Sequence, residues 1–353
     1  MIITVVVIFS VSFSYNYNEN IEGETMQYLK ENKAEIYVVP TMKDTIKENA
    51  AWCGTFQLVW NDMQDNLVQG DVIFTEPNVF ADNLNKQSFK AKDLSEESYY
   101  KTWGLVSKSL RDEIEHGIKD KFNETSDILN SIDWTEEPEK YLFYAMLKKE
   151  FEFPKEFDIL EKSNFKNIEN VDYFGIDEST DSSVRNQVDV LYYENNNNFA
   201  VKLNTKTNDE IILARKNNGI NFEEIYNEII KRSQEFKGEK TFGEKDVLKV
   251  PNLNMDVLRK FDEVIGKTFL DKDGESMCIA QALQTIKMEL NNKGGKIKSE
   301  AAIVTLKSAM VAVEYQPREF IFNDDYVIFL KEKDKDVPYF AAFINDINLF
   351  NKK

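Results

Sequence analysis

Seven consecutive apolar residues, Tyr141-Leu142-Phe143-Tyr144-Ala145-Met146-Leu147, constrain the fold more than any other stretch of the chain. A run this short and this continuous predicts a β-strand buried on both faces, and such a strand needs a layer of structure on each side of its sheet. More strands are predicted at Val171–Ile176, Val188–Tyr193, Phe199–Leu203 and Glu210–Ala214, with a turn over Asn195–Asn198. Asp246–Leu253 reads as a strand that its proline places at an edge or an end. Gln284–Leu290, Phe320–Leu330 and Tyr339–Ile344 complete the strand set. Helices are predicted over Thr45–Leu67, from Ser95 through Ile118, from the cap Asn221 through Phe236, and over Met255–Ile265 with Gly266 as its C-terminal stop. Asp71–Phe74 reads as a short strand. Strands and helices fall in separate blocks with no βαβ alternation, so the class is α+β. At about 150 residues per domain, 353 residues suit two domains or one large α+β domain, and the texture changes after Trp134.

Composition narrows the chemistry. With 44 Lys+Arg against 62 Asp+Glu the net charge is −18, which opposes general binding to a phosphate backbone, so no nucleic-acid partner is expected. The single histidine, His116, removes Ser-His-Asp and multi-histidine metal chemistry and reads as a solvated or cap-associated residue. Cys53 and Cys278 form no CxxC pair; they read as buried free thiols, with one disulfide as the alternative. Phosphate-binding, dinucleotide-binding, zinc-protease and nucleophile-elbow motifs are absent. Acid pairs such as Glu136-Glu137 and Glu223-Glu224 read as solvated faces. No catalytic residue, metal site or cofactor is assigned, and the chain is not expected to be an enzyme.

Ile2–Phe13 is apolar, uncharged and about as long as the hydrophobic region of an export signal, short of a membrane span. Residues 1–16 therefore read as a signal or targeting segment, which makes the protein secreted or cell-surface, and 17–40 as a linker. The alternative is a buried β-strand, since Val and Ile dominate.

The C-terminal third carries an ordered series. The alternating strand Leu283–Leu290 runs into a Gly294-Gly295 stretch, then Ser299-Glu300-Ala301-Ala302, a loop of some 15 residues, Pro317-Arg318-Glu319-Phe320, and two apolar strands. This resembles the serpin family, in which a main-sheet strand leads into a hinge of the type [ST]-E-A-A, an exposed reactive-centre loop and an F-x-A-[DN]-x-P-F-x-F-x-[IL] signature. Leu142–Asp158 is similar to the serpin central strand, and Asn221–Glu228 and Asp246–Gly266 match later serpin elements in order and length. The resemblance covers about 135–353.

It implies a single α+β domain over 41–353 with mainly antiparallel sheets, helices clustered beside them, and a peptidase inhibitor that offers 299–317 as bait and inserts it into the main sheet once cut. The implied hinge is Ser299, Glu300, Ala301, Ala302, Ile303 and Val304; the implied scissile region is Ala309, Met310, Val311, Ala312 and Val313. A small residue at Ala312 would suit an elastase-like peptidase as partner. The departures are specific. Asp324, Asp325 and Tyr326 replace the signature's later positions, Gln284 stands where many serpins place a core histidine, Lys298 replaces a hinge glycine, and bulky Ile303 and Val304 stand where inhibitory members carry small residues that slide easily. These favour the alternative of a non-inhibitory serpin-like binding protein. Alone, Ser299–Val313 also reads as a helix. An exposed strand-forming loop makes oligomers by loop–sheet addition an expectation as well.

Overall fold

The computed structural model describes residues 2–11, 36–137, 139–215, 219–295 and 317–351, with the backbone alone for 2–11 and 295. The main sheet has the order β13-β15-β1-β5-β4, and all its ladders are antiparallel. Its strands are β1 (Ile2–Val11), β4 (Tyr99–Leu105), β5 (Tyr141–Lys148), β13 (Leu253–Lys260) and β15 (Ser276–Leu290), and the short β14 (Thr268–Leu270) pairs with the start of β15. A second sheet runs β2-β3-β19-β18-β11-β10-β9. It contains β2 (Tyr37–Val39), β3 (Ala50–Cys53), β9 (Val188–Asn195), β10 (Asn198–Asn204), β11 (Asp209–Arg215), β18 (Tyr326–Glu332) and β19 (Phe340–Ile344). A four-stranded sheet has the order β17-β12-β8-β7, from β7 (Asp158–Phe165), β8 (Ile168–Ile176), β12 (Val247–Pro251) and β17 (Glu319–Ile321). Two residues each of β6 (Phe151–Glu152) and β16 (Gly294–Gly295) pair separately.

The fold is α+β. β5 is buried on both faces, as its continuous apolar run demands. Phe143, Ala145 and Leu147 face the main core, while Leu142, Tyr144 and Met146 face a second core. That second core is closed by helix α3 (Lys108–Phe122), through Leu110, Ile114 and Ile118, and by Ile128, Leu129 and Ile132 of the loop after it. α3 starts on Ser107, whose hydroxyl accepts from the Leu110 N–H at 3.1 Å, and stops at Asn123 in the left-handed region. On the inner face, helix α1 (Thr55–Met63) is buried along its whole length. α2 (Val79–Leu84) and α4 (Ser182–Arg185) are short, and α5 (Phe222–Glu235) is capped by Asn221 Oδ1 accepting from the Glu224 N–H at 2.9 Å.

Four expected elements differ. The helix expected over Thr45–Leu67 is the strand β3 followed by α1; Gly54 separates the two. Asp71–Phe74 is extended but joins no ladder, because the Asn85 amide takes both backbone groups of Val72, at 3.2 and 3.0 Å. The helix expected from Ser95 begins only at Lys108: Tyr99–Leu105 is strand, since its aromatic and Thr residues suit a pleated surface and Gly104 suits no helix interior. The helix expected over Met255–Ile265 is mostly β13. Met255 and Val257 join the main core while Leu258 joins the second, an alternation of period two. The polar stretch 17–40 ends in the strand β2, parallel to β3.

Candidate functional site

The region the sequence singles out lies where β15 leaves the main sheet. β1 occupies the position between β5 and β15 and pairs along both: Ile2 stands level with Lys148 on one side and Lys287 on the other. Since β1 is antiparallel to each, β5 and β15 run in the same direction. Gln284, fully buried in β15 and opposite Val5 in the register, points to the inner side. Its amide donates to Thr55 Oγ1 at 3.1 Å and the Cys53 carbonyl at 3.3 Å, so it links the sheet to the start of α1.

The exit from β15 is fixed by backbone pairing. Asn291 and Gly294 bridge to each other, and Gly294 and Gly295 pair with Glu152 and Phe151. Gly294 has φ +112°, and a Cβ there would stand 2.4 Å from the Phe151 carbonyl oxygen, so this position requires glycine. On the far side, Arg318 opens β17's approach. Its guanidinium donates to Asp246 Oδ2 from Nε at 3.1 Å and from a terminal nitrogen at 2.7 Å, and to the carbonyls of Glu239 and Thr241 at 2.6 and 2.7 Å. The Arg318 N–H donates to Asp246 Oδ1 at 2.9 Å, and Asp246 is fully buried. β15 and β17, which bracket 299–317 in sequence, therefore sit in different sheets, each pinned close to its end of that segment.

At the same end of β5 a buried polar cluster joins the sheets. Lys149 Nζ lies 3.1 Å from Asp209 Oδ1 and pairs with the Glu332 carboxylate, which also accepts from the Ser95 N–H and the Ser95 and Ser98 hydroxyls. Tyr339 donates to Asp209 at 3.0 Å. Burial pushes the Glu332 carboxyl up, but the hydrogen bonds from Lys149 and Ser95 outweigh it and hold it below the usual glutamate range. The Tyr339 phenol is pushed well up by burial and by Asp209.

The hinge residues Ser299, Glu300, Ala301, Ala302, Ile303 and Val304 and the scissile region Ala309–Val313 lie outside the described residues. His116 is exposed on α3, its Nδ1 2.6 Å from the Asp112 carbonyl oxygen, beside a cleft of about 430 Å³ between α3 and the following loop. No disulfide joins Cys53 to Cys278; Cys53 is buried, while Cys278 is half-buried on β15, level with Ser10 of β1. Among the described residues no group of three or more His, Cys, Asp or Glu is arranged to hold a metal ion, and no helix is long and apolar enough to cross a membrane. Sequence reasoning missed the Arg318–Asp246 fork and the Lys149 cluster. The only sequence signal for the first is a lone Arg directly after the loop; for the second there is none, because its members are scattered from Ser95 to Tyr339.

No family model and no curated protein matches the chain. Solved structures do. They include serpins. A thyroxine-binding globulin complex with thyroxine aligns at TM-score 0.43 and 12% identity over 68% of this chain, which spans just under two thirds (65%) of that one. Serpin48 of the insect Tenebrio molitor aligns at TM-score 0.37 and 16% identity, covering 73% of this chain and 79% of its own. AtSerpin1 of Arabidopsis, in its native stressed conformation, aligns at TM-score 0.41 and 12% identity, covering 69% and 67%.

Proposed function

We propose that the chain is a secreted, non-catalytic serpin-like protein that presents 299–317 to a peptidase and takes the cut segment into its main sheet. The observation that supports this reading is the position next to β15. A strand antiparallel to both β5 and β15 is accommodated there, and β15 leads directly into the segment concerned. Uptake would require β1 to leave, after which the cut segment would pair as an antiparallel strand with β5 and β15 at once. Ala312 as the specificity residue points to an elastase-like enzyme as partner.

A second reading, a serpin-like interaction protein without inhibitory activity, is favoured by the same position being filled by β1, and by bulky Ile303 and Val304 in the hinge.

One experiment separates them. The folded chain, intact or cut once after residue 16, is treated with a peptidase panel that includes an elastase, and its melting temperature and denaturant-resistant complexes are measured. A sharp rise in melting temperature on cleavage within 299–317, with a complex that survives denaturant, supports the inhibitor. Cleavage without either supports the interaction protein. For an inhibitor, replacing both Ile303 and Val304 by Ala raises the rate of complex formation; for the alternative it changes nothing.

A further inference from the structure

We propose that Asn123 is a modification site: the protein carries one N-linked oligosaccharide there, on the exposed turn that ends α3. The proposal rests on the reading of the chain as secreted, since the sugar donor is met in the lumen of the export pathway.

The sequence observation is one of scarcity. Asparagine is abundant, with 34 residues, yet Asn123-Glu124-Thr125 is the only place where an asparagine is followed two positions on by serine or threonine. The residue between them is not proline, so the acceptor pattern is complete. Asn130 and Asn204 come nearest, and each has its hydroxyl residue one position too early.

The structure puts this triplet where a bulky, hydrophilic group has room. α3 ends at Phe122, whose side chain is buried in the second core. Asn123 takes the next position at φ 54° and ψ 38°, in the left-handed region, and is exposed. Its backbone is held: the N–H donates to the Lys119 carbonyl at 2.8 Å. Lys148 holds both neighbours, donating from Nζ to the Phe122 carbonyl at 3.1 Å and lying 3.0 Å from Glu124 Oε1. Among the described residues nothing hydrogen-bonds the Asn123 amide. The acceptor is therefore a free side chain on a fixed backbone.

The two hydroxyls that follow have different roles. Ser126 Oγ accepts from the Ile128 and Leu129 N–H groups, both at 3.3 Å, and so shapes the next turn. Thr125 is exposed, and its hydroxyl has no partner among the described residues. The turn by itself accounts for asparagine at 123, because asparagine tolerates the left-handed region. It does not account for threonine at 125. Asn49 gives the contrast. It too is left-handed, but its Oδ1 accepts from the Asn345 and Asp346 N–H groups at 3.0 and 2.7 Å, and the residue two places on is Ala51.

The co-substrate class is a lipid-linked oligosaccharyl diphosphate. Asn123 Nδ2 forms a bond to the anomeric carbon, and the bond from that carbon to the diphosphate oxygen breaks. The lipid diphosphate leaves with the electron pair, and one amide proton passes to a base. No oxidant or reductant enters. Glu124 and Thr125 line the cleft of about 430 Å³ beside His116, so the sugar stands at the margin of that cleft.

The test expresses the full chain, with its own N-terminus, in eukaryotic cells. A single glycan is expected, lost in one step on treatment with a peptide N-glycosidase, which converts the Asn123 amide to a carboxylate that mass spectrometry of the peptide detects. Thr125→Ala and Asn123→Gly should each abolish that step, and Thr125→Ser should keep it. Asn123→Gly retains the left-handed turn and Thr125 holds nothing in place, so the three variants should melt with the deglycosylated parent. A chain that enters the lumen, shielded from added protease in intact microsomes, yet carries no sugar on Asn123 overturns the proposal and leaves secretion standing. A chain that stays outside, open to that protease and unmodified, overturns the secretion reading and the proposal together.

Discussion

Arg318 grips Asp246 through two guanidinium nitrogens and a backbone N–H, and the carboxylate it holds has no exposure to solvent. The pair anchors the chain where it re-enters the fold after 299–317. Removing one partner of a buried ion pair strands the other charge, which costs about 3–5 kcal/mol. Asp246→Asn should therefore lower unfolding free energy by roughly that amount in urea titrations. It should also open the Pro317–Glu319 bonds to proteolysis under native conditions. A variant as stable as the parent would show that the fork carries no structural weight.

Glu332 predicts an acid limit. Its carboxyl is held below the ordinary range in the folded chain, so the unfolded state binds a proton first as the pH falls. The stability it contributes is complete above the ordinary glutamate pKa of about 4.3 and disappears as the pH drops through the lower folded value. Urea midpoints measured from pH 6 down to pH 3 should fall across that window. Glu332→Gln should start lower and show a flatter dependence.

Gly294→Ala places a methyl group 2.4 Å from the Phe151 carbonyl oxygen at a φ of +112°. The hairpin must shift or break, at a cost of about 1–3 kcal/mol for the strained backbone alone. Hydrogen exchange should rise at Phe153 and Phe157, whose N–H groups donate to Lys293 and Asn292. The second sheet should be unaffected.

Burial pushes the Cys53 thiol up to about 12, whereas Cys278 is half-buried. At pH 8 a maleimide should label Cys278 well before Cys53, and Cys53 only as fast as the molecule unfolds. Equal labelling of both thiols, read by mass spectrometry of the peptides, would contradict the burial of β3.

Much of the strand framework was legible because strand runs were short, apolar and punctuated. Tyr141–Leu147 and the Val188–Ala214 hairpins stand where their patterns put them. Tyr99–Leu105 and Met255–Lys260 misled because each carries apolar residues three or four apart that also alternate, and only their ladders with β5 and β15 decide between the periods. Of the site, the Gly294-Gly295 stretch reads as a flexible loop from composition, yet both glycines pair with Glu152 and Phe151 in a short ladder. Arg318's partner was not legible, since 72 positions separate it from Asp246 and no local signal marks either as buried. The apolar run at residues 2–11 reads first as an export signal from its length, with a buried strand as the alternative; that it pairs between β5 and β15 is a fact of tertiary structure.

The placement of β1 also sets an order of events during synthesis. Ile2–Val11 is made before either of the strands it pairs with, and the last residue it pairs with is Lys287. At about 5–20 residues per second the ribosome needs on the order of 15 s to a minute to deliver that partner. Throughout that interval an uncharged, β-branched segment is without its full ladder, and the five-strand path of the main sheet closes only once β15 has been made. Anything that engages that segment in the meantime acts before the fold exists and bears on whether the finished molecule acquires its central strand.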